Sequence, residues 1–314
     1  MQEQSSRLGS TSELLHTHIA LSNIRERWVL SRTPALNPAF AIAEVFWILS
    51  GQNESEFLNK WNPALPRFAG KGAKYHGAYG YRLKRHFGLD QVERAYKILS
   101  SDPDSRQCVL QIWDPRSDLP FVDGMPRSED IPCNLTSVLK VRNGRLEWLQ
   151  VLRSNDLYRG LPYNIVQFTT LQEVLAGWLG LEPGEYHQVS DSSHLYVKDN
   201  VHVRRVDFAE RNNDSLAAPK EISCAAIRAG VRALEDLSAD NIHRENLVSY
   251  FSGIDVPSAY RNLVMIAAAD NARRKGWYKE MELLEERCTN PVLRLAWAHW
   301  KERTLGKIKG GKLL

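Results

Sequence analysis

Apolar residues fall along the chain in three textures, and each predicts a different kind of element. The first is a near-continuous apolar run from Ala39 to Leu49, closed by Gly51. Asn37 before Pro38 reads as an N-cap followed by proline in the first turn, so this run predicts a buried helix. The second texture is a pair of short runs around a turn. Ser137 to Arg142 and Arg145 to Leu152 flank Asn143-Gly144, residues that tolerate positive φ, so a hairpin is predicted. Gln107 to Trp113 predicts a strand, and Asp114 to Pro132, rich in Pro, Asp, Ser and Gly, predicts a loop. The third texture is helical periodicity. Ile165, Phe168, Leu171, Leu175, Trp178 and Leu179 line one face of Tyr163 to Leu179. After Asn200 the character changes. Asp207 to Lys220 is charged and aperiodic, and Glu221 to Leu237, Pro257 to Arg274 and Trp277 to Thr304 predict amphipathic helices. The pattern divides the chain into a first domain, residues 1–209, and a helical extension, residues 210–314, with no internal repeat.

Composition narrows the class. The chain has 314 residues, 41 Lys plus Arg against 37 Asp plus Glu, and no apolar stretch near the roughly 20 residues of a membrane span. Its start, Met1-Gln2-Glu3-Gln4, lacks the basic-then-apolar order of a secretory signal, which favours a cytoplasmic location. Cys108, Cys133, Cys224 and Cys288 are too dispersed for a paired-cysteine metal site and are expected as free thiols, with no metal bound. Interleaved charges and a net charge of +4 argue against bulk nucleic-acid binding. The basic tail, with Lys301, Arg303, Lys307, Lys309 and Lys312, reads as a solvated end.

Polar residues cluster at element junctions, where a scaffold displays reactive groups. Glu44 stands among Ala43, Val45, Phe46 and Trp47, so its carboxylate must be paired, hydrogen-bonded or neutralised. A structural salt bridge and a functional carboxyl both satisfy that requirement. Cys133 sits just before the hairpin, and Arg153-Ser154-Asn155-Asp156 follows its second strand.

Pro132-Cys133-Asn134, Arg153-Ser154-Asn155-Asp156, Gly160-Leu161-Pro162-Tyr163-Asn164 and Ser193-His194-Leu195-Tyr196 follow one another in an order that resembles the thymidylate synthase family. The helix bearing Glu44 and the loop Gly77-Ala78-Tyr79-Gly80 are similar to two further elements of that family, so the resemblance covers about residues 5 to 200. It implies an α/β (α+β) fold, a mixed sheet with packed helices, here followed by the helical extension. It also implies folate-dependent one-carbon transfer to C5 of a pyrimidine nucleoside monophosphate. Cys133 is then the nucleophile that adds to C6, with Arg153 favouring its thiolate. Arg7, Arg153 and Ser154 hold the phosphate, helped by Arg106 from the partner subunit of a homodimer. Asn164 reads a uracil base, since one amide meets both N3–H and O4; read alone, Asn164 also suits a helix N-cap. His194 and Tyr196, two apart on an extended segment, hold the sugar hydroxyl. Asp156 holds the pterin of 5,10-methylenetetrahydrofolate and Trp61 forms part of its wall. Tyr79 and Glu44 manage protons at C5, Glu44 through water.

The chain departs from that family at several positions. Asn134 stands where a histidine is usual, Gln107 where a second arginine is usual, and the chain runs on past the point where a short apolar tail closes over folate. Water exclusion separates methyl from hydroxymethyl products, so both remain open. The rival reading is an inactive nucleotide-binding or scaffolding descendant; no hydrolase motif surrounds Cys133.

Overall fold

Asn143 and Gly144 take φ of 51° and 71°, the left-handed values their side chains permit. The hairpin they close supplies two adjacent strands of the main sheet. A computed structural model describes residues 2–6, 9–121, 123–125, 128–199, 202–203 and 213–309. Its strands are β1 (Gln2–Gln4), β2 (Thr11–Leu21), β3 (Arg32–Thr33), β4 (Val109–Gln111), β5 (Asn134–Arg142), β6 (Arg145–Asp156), β7 (Glu182–Tyr196) and β8 (His202–Val203). Six form one sheet in the order β1-β2-β7-β6-β5-β4, parallel between β6 and β7 and antiparallel elsewhere, while β3 and β8 pair separately.

The helices are α1 (Pro38–Ser50), α2 (Ser55–Trp61), α3 (Pro66–Ala69), α4 (Tyr79–Tyr81), α5 (Gln91–Ser101), α6 (Pro115–Asp118), α7 (Leu161–Leu179), α8 (Lys220–Ser238), α9 (Arg244–Gly253), α10 (Ser258–Arg274), α11 (Tyr278–Arg287) and α12 (Pro291–Lys309). The Asn37 side chain accepts from Phe40 N–H, capping α1 as its sequence predicts, and Gly51 ends it in the left-handed region. Ten of the thirteen residues of α1 are buried, so it runs through the core instead of along its edge. The helices after Asn213 share that core: a Cβ on Gly230 of α8 would lie 2.2 Å from a Phe46 ring carbon of α1. Only glycine permits that approach.

Two expectations are corrected and one helix is added. Arg153 to Asp156 lie within β6, whose pairing with β7 continues to Asp156 opposite His194. Trp277 to Thr304 divides into α11 and α12, because Cys288 leaves the helical region with ψ of 116° and Pro291 starts anew. The segment between α8 and α10 also contains α9, whose buried residues are Leu247 and Phe251, one turn apart.

Candidate active site

Cys133 immediately precedes β5, where the pairing with β6 is irregular between Asn134 and Thr136. Arg153, on β6, binds this approach. Its backbone N–H donates to Cys133 O at 2.9 Å, Nε to Pro132 O at 2.9 Å and Nη2 to Ile131 O at 3.0 Å. The guanidinium also lies 5.7 Å from the Trp113 ring centre. Arg153 is therefore a brace for the cysteine loop as well as a nearby cation. The thiol is nonetheless raised above its ordinary pKa. Burial disfavours the thiolate more than Arg153 favours it, and Asp130 and Asp156 add to the rise. Arg153 favours the thiolate, as the resemblance implies, but desolvation outweighs it.

Glu44 projects from α1 beside Gln167 of α7. Burial pushes its pKa up to about 8, and the hydrogen bond from Gln167 opposes the rise only in part. No salt bridge reaches it among the described residues. Among the described residues this carboxyl is therefore without an ion pair, and with its pKa at about 8 it is mostly neutral at pH 7. Tyr79 lies within electrostatic reach of Cys133, Asp130 and Glu44 and faces Asn134; burial first, then the charge of those three groups when ionised, push its phenol far above the ordinary value. The tyrosine comes this close to α1 because its neighbour is Gly80. A Cβ there would lie 2.3 Å from Ile48 O and 2.5 Å from Ile48 Cα.

Asn164 stands in the first turn of α7. Gly160, not Asn164, occupies the cap position, and Asn164 N–H already bonds Gly160 O at 2.9 Å. Its side-chain amide has no hydrogen-bond partner among the described residues. Asp156 Oδ1 accepts from Tyr158 N–H at 2.9 Å and Arg159 N–H at 2.8 Å, leaving Oδ2 uncommitted. Ser154 is half-buried on β6 opposite Ser192, and His194 and Tyr196 share one face of β7, their rings 5.6 Å apart. The parallel pairing of β6 with β7 brings Asp156 beside His194.

Other named residues lie apart. Arg106 is exposed three residues before β4, whose Val109 pairs with Val138. At ~3.3 Å per residue, Val138 is already roughly 16 Å along β5 from Cys133, and Arg106 lies beyond it. Arg106 is therefore not brought to the Cys133 pocket of its own chain. Trp61 is buried in α2, and its carbonyl accepts from Arg274 Nη2 at 2.8 Å. Arg7 lies outside the described residues.

Three residues that the sequence reading passes over complete the geometry. Gln150 holds Asn134: its Nε2 donates to Asn134 Oδ1 at 2.9 Å, while Ser137 Oγ and Trp148 Nε1 donate to Gln150 Oε1 at 2.6 and 3.1 Å. Asn134 Nδ2 is thereby directed to the Tyr79 side. Gln167 faces Glu44, and Asp130 Oδ2 accepts from Gly77 N–H at 2.7 Å, tying the cysteine loop to the tyrosine loop. The buried atoms Glu44 Oε2, Gln167 Oε1 and Asn134 Nδ2 have no partner among the described residues. Buried polar groups are nearly always paired, and these three lie together around Tyr79.

A sequence model described as thymidylate synthase matches residues 2–249. The chain belongs to this family. Within the thymidylate synthase family it is 36% identical over 198 residues to a Bacillus phage SP01 protein named deoxyuridylate hydroxymethyltransferase, covering 60% of this chain and 51% of the relative. A Pseudomonas phage M6 protein of the same name is 36% identical over 162 residues, covering 51% of this chain and 45% of the relative. The chain thus spans about half the length of these curated relatives. The crystal structure of thymidylate synthase from T4 phage shares the fold, with a TM-score of 0.51 and 24% identity over 66% of this chain and 77% of that one.

Proposed function

We propose that this protein hydroxymethylates C5 of dUMP, with Cys133 as covalent nucleophile and 5,10-methylenetetrahydrofolate as carbon donor. The observation that carries the reading is that Tyr79 lies within electrostatic reach of both the Cys133 thiol and the Glu44 carboxyl. Hydroxymethylation is preferred to methylation on the names of the phage relatives. The donor's fit rests on Asp156, whose free Oδ2 suits the pterin N–H groups.

In this reading Cys133 Sγ adds to C6 and makes C5 a carbon nucleophile. Asn164 accepts from N3–H and donates to O4, fixing the ring over the thiol. When bound, the folate supplies a one-carbon unit at the oxidation level of formaldehyde. Asp156 orients it toward C5. Tyr79 and the neutral Glu44 pass on the proton that C5 loses. Once the bond between the transferred carbon and the donor nitrogen has broken and tetrahydrofolate has left, Glu44 would direct water onto the exocyclic carbon; as the water oxygen bonds there and sheds its proton, the Sγ–C6 bond breaks and frees Cys133, with no net oxidation. Arg7, Arg153 and Ser154 hold the phosphate, and His194 and Tyr196 the sugar hydroxyl.

Residues 1–209 form the catalytic part of a cytoplasmic homodimer, and 210–314 a helical extension built onto its core. The position of Arg106, remote from its own Cys133, supports its donation to the partner's phosphate site. Nucleic acid and membranes are not partners in this reading. Incubating dUMP, UMP, dCMP and CMP separately with the donor and weighing the products tests it: hydroxymethyl-dUMP is expected. A methylated product would correct the last step, and unchanged nucleotides with folded protein would favour an inactive descendant.

A further inference from the structure

A cavity of about 400 Å³ opens between α1, α5, α7 and α8. None of the residues assigned above to nucleotide or folate lines it. Its walls are largely aliphatic, with Ile48 of α1, Leu171 and Leu175 of α7, and Ile227 and Val231 of α8 among them. Packed interiors hold few voids larger than a water molecule, so four helices that leave this much space between them are not simply packed together. The size and the apolar lining are those of a small-molecule site, in which a few placed polar groups fix the ligand.

The polar groups around this cavity are nearly all donors. Trp178 lines it, and the buried indole Nε1 has no hydrogen-bond partner among the described residues. That ring is held in place by Tyr96, which meets it edge to face at 6.1 Å, and by Lys220 Nζ at 5.6 Å from its centre. At the mouth, Lys84 Nζ donates to Leu49 O at 2.9 Å, and Glu235, the one carboxylate in the lining, accepts from Gln52 Nε2 at 3.0 Å. Arg228 and Arg232 also line the mouth; both are exposed, and neither makes a hydrogen bond or salt bridge among the described residues. They stand four apart on α8, a spacing at which like charges repel each other. An anion between them removes that repulsion.

We propose that this cavity is a second binding site, for a medium-chain fatty carboxylate whose alkyl body occupies the aliphatic interior and whose head group lies at Arg228 and Arg232. Wall and mouth select this chemistry together. The aliphatic side chains gain by burying methylenes and offer no acceptor to a sugar or a base. The guanidinium groups, planar and uncommitted, match a planar carboxylate. Trp178 adds a donor and no acceptor, which again suits an anion over a cation. The site is independent of the reaction proposed above.

The test measures, by calorimetry on the full chain, the binding of octanoate, decanoate and decanol below their aggregation limits. Decanoate should bind roughly fifteenfold tighter than octanoate, since each buried methylene is worth about fourfold. Replacing Arg228 and Arg232 together by Ala should weaken decanoate by roughly threefold to tenfold and leave decanol within about twofold, as expected for exposed charge pairs. Val231→Trp, which fills the cavity, should abolish binding of both. Cys224 also lines the cavity and reports on it in the unaltered chain. Decanoate should slow its alkylation by iodoacetamide, read by peptide mapping, and leave that of Cys133 unchanged. If Val231→Trp does not fold in a thermal melt, the Cys224 measurement decides. Absence of decanoate binding, equal affinity for octanoate and decanoate, or an unchanged rate at Cys224 overturns the proposal. So does displacement of decanoate by dUMP, which would put the carboxylate in the Cys133 pocket, and so does full decanoate affinity in the double arginine variant.

Discussion

Glu173 on α7 and Glu44 on α1 are both carboxylates set into largely apolar helices of one core, yet their neighbours differ. Glu173 is fully buried between two arginines: Arg25 Nε donates to it at 2.7 Å, Arg27 Nη2 bonds its other oxygen, and Ser215 Oγ adds a bond at 3.2 Å. Burial raises its pKa, but Arg27 and Arg25 overcome that and hold it below the ordinary carboxylate value. Glu44 has Gln167 alone, and its pKa stands at about 8. One carboxyl is charged and ties α7 to Arg25, Arg27 and Ser215. The other is kept neutral at a cost, in a pocket with a thiol and a phenol. An unpaired buried acid is destabilising unless it works, which is why the difference points to Glu44 as the functional one.

The two should leave opposite pH signatures. Glu173 has a depressed folded pKa, so its contribution is present above its unfolded value near 4.5 and is lost as pH falls through the folded one. Glu44 has a raised folded pKa, so stability declines as pH rises from its unfolded value of 4.5 through about 8.

The largest expected effect separates them directly. Glu44→Gln should lower kcat by roughly 10²- to 10⁴-fold, as loss of a positioned proton-transfer group does. The same variant should melt higher than the parent at pH 8 and alike at pH 4. A lower melting temperature at pH 8 would mean that Glu44 is structural after all. Arg27→Ala should act in the opposite sense, costing about 3–5 kcal/mol in denaturant titrations because it strands a buried charge. Its kcat should hold under conditions where the variant is folded, and Glu173→Gln in the same chain should restore part of the loss.

A smaller effect concerns the base. Asn164→Asp should move the ratio of kcat/KM from uracil toward cytosine nucleotides by roughly tenfold to a hundredfold, about 1–3 kcal/mol for one exchanged buried contact. An unmoved ratio would remove Asn164 as base reader. The smallest is Gln167→Leu. Removing the hydrogen bond that restrains Glu44 should shift the basic limb of the kcat profile from about 8 to higher pH, with little change in plateau rate. A shift to lower pH would contradict the pairing of Gln167 with Glu44.

Much of this was legible in the chain, because local chemistry decides it. The cap at Asn37, the turn at Asn143-Gly144 and the helix after Gly160 lie in their own sequence. So do the motifs at Cys133, Arg153 and His194. β7 was legible only at its His194 end, since its inward residues Gln188, Ser190 and Ser193 are buried without being apolar. They bond one another and their neighbours, as in Asn155 Nδ2 to Ser190 Oγ at 3.2 Å and Thr17 Oγ1 to Ser193 Oγ at 2.6 Å. Alternation of hydrophobicity never appears in such a strand. The thiol's raised pKa was illegible because it balances burial against a cation, and burial is a tertiary property. The hydrogen bond from Arg303 Nη1 to Ala35 O at 2.7 Å is likewise created only when α12 packs onto the first half of the chain.

The central claim is that Cys133 forms a covalent bond to C6 of a uracil nucleotide. Its most direct test is to incubate the protein with 5-fluoro-dUMP and methylenetetrahydrofolate, weigh the intact chain and map the modified peptide. The account predicts an adduct containing both compounds on Cys133, absent from Cys133→Ala. An unmodified chain, or an adduct on Cys108, Cys224 or Cys288 instead, would contradict it.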